Sequence, residues 1–187
     1  MALVSDDRRS RFEAVAAAVA QPVHRYALRR TDPETAKDVV ADTLLVAWRR
    51  LDDIPPRAEL PWCYAVARRC LANAERSARR QRGLVARITR LDPPETVLPQ
   101  EPVLPDADLH RALAQLPERD RELLRMWAWE DLAPKEIAAV TGLSANAVSI
   151  RLHRARGKLA QALAESAPPR KDSAGSGHNQ VRERRTP

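Results

Sequence analysis

The chain is poor in the residues that build sheets, covalent staples and membrane spans. Aromatic side chains make up 4% of its 187 residues, which excludes a broad aromatic core. Five glycines are too few for the many tight turns of an all-β fold. No stretch approaches the roughly 18 uninterrupted apolar residues that a membrane-spanning helix needs. The opening segment, Met1 to Arg11, is acidic and then basic and has no hydrophobic signal core. A cytoplasmic protein without membrane insertion is expected.

Cysteine is equally scarce. Cys63 and Cys70 are the only two, and on one helix their Cα atoms would stand roughly 10 Å apart, too far for a disulfide. With no histidine nearby they also make a poor zinc site, so both read as small buried apolar residues. His24, His110 and His178 belong to no constellation. Asp38 and Asp42 lie one helical turn apart but lack the third ligand that a catalytic metal requires. The expectation is no cofactor, no metal and no enzymatic activity.

What the chain does have is 44% apolar residues, mostly Ala, Leu and Val, a composition suited to small helical bundles. The expected fold class is all-α. Its net charge of +7 and pI of about 10.2 call for a polyanionic partner, nucleic acid or anionic membrane.

Charge and proline divide the chain. Residues 62 to 90 hold eight arginines against one acid, Glu75, whereas residues 91 to 108 hold five acids, five prolines and no Lys or Arg. The second stretch cannot continue a helix and has little apolar surface to bury. The expected organisation is an N-terminal helical domain over 8–85, a proline-rich acidic linker over 86–105, a C-terminal helical domain over 106–165, and a disordered basic tail over 166–187. The two domains are expected to fold and melt independently. In the first, Phe12, Val15, Val19, Val23 and Tyr26 recur at helical steps, with Pro22 as a break or second start. Asp32-Pro33-Glu34 is a helix opening, with a capping acid, a first-turn proline and an acid at the positive dipole end. Val40, Thr43, Leu44, Ala47 and Leu51 form one stripe, and a third helix starts near Trp62 and should stop by Gly83.

Residues 134–148 spell a helix-turn-helix. Pro134 starts a short helix, Ala138 is small where two helices cross, and Gly142 supplies a positive φ at the turn. Ser144 caps the next helix, whose Val148, Leu152, Ala155 and Leu159 face inward. Its other face offers Asn146, Ser149, Ile150, Arg151, His153 and Arg154 to a major groove. The bland alternative is a helical hairpin with solvated arginines.

These residues carry a family resemblance. Leu116-Pro117-Glu118-Arg119-Asp120-Arg121-Glu122, Lys135-Glu136-Ile137-Ala138 and Arg151-Leu152-His153-Arg154-Ala155-Arg156 resemble the promoter-binding C-terminal domain of extracytoplasmic-function (ECF) sigma factors, of the sigma-70 family. The resemblance implies that this domain contacts the −35 element. Asp38 through Trp48 resembles the family helix that grips core RNA polymerase, which implies that role for Asp38, Asp42, Leu45 and Trp48. Trp62 through Arg69 resembles the helix that reads and melts the −10 element. Beside the resemblance, Trp62 and Tyr64 are placed either to stack on unpaired bases or to fill the core, while Arg68, Arg69, Arg76, Arg79 and Arg80 suit phosphates. Two departures stand out: Ala41-Asp42 where the family commonly has Gln-Glu, and Arg68-Arg69 where it often has Arg-Asn.

The resemblance implies a sigma factor whose partners are core RNA polymerase and promoter DNA. It also implies an anti-sigma factor as a further partner, although no surface for one is identifiable in the sequence. The main rival is a free-standing helix-turn-helix regulator, which would need only the C-terminal half.

The tail generates a first prediction. Residues 168–187 hold five basic and two acidic side chains and almost nothing apolar. Deleting them should leave helical content by circular dichroism unchanged. Non-specific DNA affinity, measured at low salt, should fall modestly.

Overall fold

The computed structural model describes the backbone over residues 2–88 and 107–166. Most of the acidic linker and all but the first residue of the tail lie outside the described residues. Those described form seven α-helices and one 3-10 turn, and the all-α expectation holds.

Helix α1 (Ala2–Leu28) buries Val15, Val19, Val23 and Tyr26 of the expected stripe, together with Ala27, and leaves Phe12 half-buried. Pro22 does not break it. The residues flanking the proline's turn, Val19 and Val23, are each 1% exposed, so their burial against the neighbouring helices outweighs one lost backbone hydrogen bond. Helix α2 (Pro33–Arg49) opens as its sequence dictates. Asp32 Oδ1 accepts from the backbone N–H groups of Glu34 and Thr35 at 3.1 and 2.9 Å, and Thr35 Oγ1 donates to Oδ2 at 2.7 Å. Along α2, Ala36, Val39, Thr43 and Ala47 are buried. The fully buried Thr43 hydroxyl is satisfied by the Val39 carbonyl at 2.6 Å. A 3-10 turn, Leu51–Asp53, leads toward α3 (Glu59–Ile88).

Helix α3 runs through Gly83, past the expected stop. A lone glycine costs a helix only about 1 kcal/mol, and good helix formers such as Arg82 and Leu84 flank it. The helix therefore takes in residues that composition alone assigned to the linker. Cys63 is buried and Cys70 half-buried, and both are free thiols. Burial pushes the Cys63 thiol up to about 12, so it behaves as an inert apolar group.

The remaining helices are α4 (Ala107–Gln115), α5 (Glu118–Ala128), α6 (Pro134–Thr141) and α7 (Ala145–Ser166). Helices α4, α5 and α6 each pack on α7, and α1, α2 and α3 pack on one another. Composition suggested no contact between the two sets, yet α6 also packs on α3. Buried side chains from Val15 to Ala155 form one continuous cluster.

Two outcomes follow from this packing. Leu152 is 6% exposed in the C-terminal core, and Leu152→Ala should cost roughly 2–5 kcal/mol in urea denaturation. The Asp32 carboxyl is held at about 2, below its ordinary 3.8, first by the Thr35 backbone N–H and then by the Thr35 hydroxyl. A depressed carboxylate stabilises the fold above its ordinary value and loses that effect as pH falls through the depressed one. Asp32→Ala should therefore melt earlier than the wild type at neutral pH, and the gap should close between pH 3.8 and about 2 when followed by circular dichroism.

Candidate nucleic-acid interface

The turn between α6 and α7 sets the geometry of the helix-turn-helix. Glu136 Oε2 accepts from the Ala133 N–H at 2.8 Å and closes the start of α6. Gly142 ends that helix at φ 75°, donating to the Ala138 carbonyl at 2.9 Å, in a conformation that a side chain would strain. Ser144 Oγ accepts from the Ala147 N–H at 3.2 Å and starts α7. Val148, Leu152 and Ala155 then point inward and fix the rotation of the helix.

The opposite face of α7 leaves Asn146, Ser149, Ile150, His153 and Arg154 exposed. Ile150 is 45% exposed, an apolar group of the kind that meets thymine methyls in a major groove. The Ser149 hydroxyl donates back to the Ala145 carbonyl at 3.0 Å. Arg151 is half-buried and turns away from this face, into a cavity against α3.

On α3, Arg68, Arg69, Arg76, Arg79 and Arg80 are exposed along successive turns. Arg76 bonds Asn73, and Arg79 makes a loose pair with Glu75 at 3.9 Å. Trp62 is half-buried, with the Arg50 guanidinium 5.9 Å from its ring centroid. Tyr64 differs from its expected alternative as a base-stacking residue. It is 3% exposed and its ring lies 4.9 Å from that of Tyr26, so it is a core residue and Trp62 is the aromatic left within reach of a strand.

On α2, Asp38, Asp42 and Leu45 are exposed at steps of four and three, which places them on one face. Trp48 follows, 39% exposed, edge-on to Phe12 at 5.1 Å and under the Arg8 guanidinium at 5.4 Å.

Two features were not foreseen. A cavity of about 580 Å³ lies between the two helical sets, with Arg68 on the α3 side and Arg119 and Arg151 on the other. Beside it, Arg30 meets two glutamates of the second set. Arg30 Nε donates to both Glu122 oxygens at 3.0 and 3.1 Å, and Arg30 Nη1 donates to Glu130 Oε1 at 3.1 Å. Burial pushes the Glu130 carboxyl above the usual carboxylate range, against the pull of Arg30 and Arg29. These partners are separated by 92 and 100 residues, so no local pattern could have paired them.

Comparison with known proteins fits this geometry. Residues 106–159 match the family model described as Sigma-70, region 4. The chain is 36% identical over 152 residues to the ECF RNA polymerase sigma factor SigL of Mycobacterium tuberculosis, covering 75% of this chain and 82% of that protein. It is 31% identical over 160 residues to the RNA polymerase sigma factor CnrH of Cupriavidus metallidurans, covering 78% and 81%. The structure of CnrH in complex with the cytosolic domain of CnrY superposes with a TM-score of 0.52 at 27% identity, covering 83% of this chain and 89% of that one. The sigma factor RpoE of Bartonella quintana, solved in complex with the anti-sigma factor NepR, shares the fold at a TM-score of 0.57 and 24% identity, covering 82% and 96%. With a region 4 helix-turn-helix and identity to a curated relative across most of both chains, this protein belongs to the ECF RNA polymerase sigma factors.

Proposed function

We propose that the chain brings core RNA polymerase to specific promoters and assists their opening, acting in the cytoplasm and catalysing no reaction of its own. The observation that carries this is the exposed face of α7, where Asn146, Ser149, Ile150, His153 and Arg154 stand on a helix whose rotation is locked by a buried stripe. A helix so presented fits a major groove, with arginine the side chain best shaped for guanine edges or phosphate. Arg151 joins this set once DNA replaces the wall of its cavity.

The roles divide by element. Residues 106–165 form the unit for the −35 element and residues 8–85 the unit for polymerase and the −10 element, joined through 86–105 and followed by the tail. Trp62 stacks on an unpaired base while Arg68, Arg69, Arg76, Arg79 and Arg80 hold the strand's phosphates. Asp38, Asp42, Leu45 and Trp48 form the polymerase-facing surface of α2, an acidic and apolar strip on an otherwise basic protein. The relatives solved with CnrY and NepR support a protein inhibitor for this chain as well.

The isolated chain should bind duplex DNA weakly and with little sequence preference. Adding core polymerase should give tight promoter binding and opening near the −10 element, read as permanganate reactivity of unpaired thymines. Nanomolar binding to a duplex operator by the chain alone, with no gain from polymerase, would instead identify a free-standing regulator. Arg154→Ala should cost about 1–3 kcal/mol of promoter affinity in a sequence-dependent way if it reads a base. A uniform loss across sequences with a shallower salt slope would make it a phosphate contact.

A further inference from the structure

The cavity of about 580 Å³ between the helical sets is lined by more cations than anions. Arg30, Arg68, Arg119, Arg125 and Arg151 face Glu75, Glu118 and Glu122 around it. All three glutamates are already engaged. Glu75 pairs with Arg79 at 3.9 Å and Glu118 with Arg121 at 2.7 Å. Glu122 accepts from Arg30 Nε on both oxygens and from the Tyr26 hydroxyl at 3.3 Å. Among the described residues, Arg68, Arg119 and Arg151 form no ion pair. The cavity's own carboxylates therefore leave three guanidinium groups unanswered.

Arg30 is the buried member of the set. Its side chain is 8% exposed, and among the described residues its Nη2 has no hydrogen-bond partner, although Nε and Nη1 are bonded. A buried N–H left unmatched costs free energy that an anion's oxygen recovers. Burial, and then the nearby charge of Arg30, hold the Arg125 guanidinium below its ordinary range, as expected where cations outnumber their counterions. Leu71, Ala72, Leu123 and Leu143 supply apolar wall beside these charges. A bare phosphate fills only a small part of such a volume, which is the size of a cofactor pocket.

We propose that this cavity is a binding site for a phosphorylated small molecule of nucleotide size, its phosphates held by Arg68, Arg119 and Arg151 beside Arg30 and its ring laid on Leu71, Leu123 and Leu143. Arginine suits the task because its planar fork makes two parallel bonds to a phosphate. The four arginines come from four places in the chain: Arg30 after α1, Arg68 on α3, Arg119 on α5 and Arg151 on α7. A compact polyanion at their centre is met from several sides at once. The exposed row of α3 is arranged differently, along one helix, and suits an extended strand.

Isothermal titration calorimetry of the full-length chain with ADP, without polymerase, DNA or magnesium, tests the site. One ADP per chain should bind, at least about tenfold tighter than pyrophosphate or adenosine, because only ADP meets both the arginines and the apolar wall. Arg119→Ala removes an exposed arginine that makes no ion pair, so helical content by circular dichroism should not change. Its ADP affinity should fall at least about tenfold, the loss expected for one charge-assisted contact. Arg9→Ala removes an equally exposed arginine that does not line the cavity. It should stay within about twofold of the wild type, since a distant exposed charge is largely screened by salt. Absence of ADP binding overturns the site. Equal losses from the two substitutions, or more than one ADP per chain, also overturn it, because diffuse attraction to a basic protein then explains the binding. Pyrophosphate binding as tightly as ADP overturns the place given to the ring. Should Arg119→Ala lose helical content, Arg68→Ala decides by the same tenfold criterion. Neither polymerase nor a promoter takes part in the titration, so each of these failures leaves the sigma assignment standing.

Discussion

Helix α7 touches α4, α5 and α6, and its rotation is set by one strip of small and branched side chains: Val148, Leu152 and Ala155. Were the helix to turn by a single residue position, about 100°, that strip would leave the core and the polar face would enter it. The core and the interface are thus two sides of one constraint. Gly142 makes it possible by reversing the chain within one residue, so that α6 buttresses α7 without crowding its outer face. Burial decides which side chains can meet DNA before any of them does so.

The same logic governs charge across the molecule. Several ion pairs join neighbours on one helix in open water, such as Lys37 with Glu34 and Arg79 with Glu75. Such pairs contribute little to stability. On α3, Arg68, Arg69, Arg76, Arg79 and Arg80 are exposed, and among the described residues Arg79 alone of these five makes an ion pair, with Glu75. Arg30 is the contrast, because it is buried and its ion pairs are with residues about a hundred positions away.

That distance marks the boundary of what could be read from the sequence. The cap at Asp32, the turn at Gly142 and the inward stripe of α7 are written in consecutive residues, and each appears in the structure where local rules place it. Pro22 and Gly83 misled because their cost is a few kcal/mol at most, and packing or neighbouring helix formers override it. Tyr64 was ambiguous for another reason. An aromatic beside arginines looks the same in sequence whether it faces a base or the ring of Tyr26. The contact between the two helical sets was illegible altogether, since charge segregation along the chain suggested separation and the pairing of Arg30 with Glu122 and Glu130 leaves no periodic trace.

The 100 residues between Arg30 and Glu130 also impose an order in time. Helices α1, α2 and α3 draw their mutual contacts from the first 88 residues, so their core can close while the rest of the chain is still being made. Translation at about 5–20 residues per second then leaves an interval of about 5–20 s before Glu130 is synthesised. During that interval the surface of α2 that carries Leu45 and Trp48 is already displayed. The contact between Arg30 and Glu130 therefore forms after the first core, and the ribosome sets how long the first helical set stands alone.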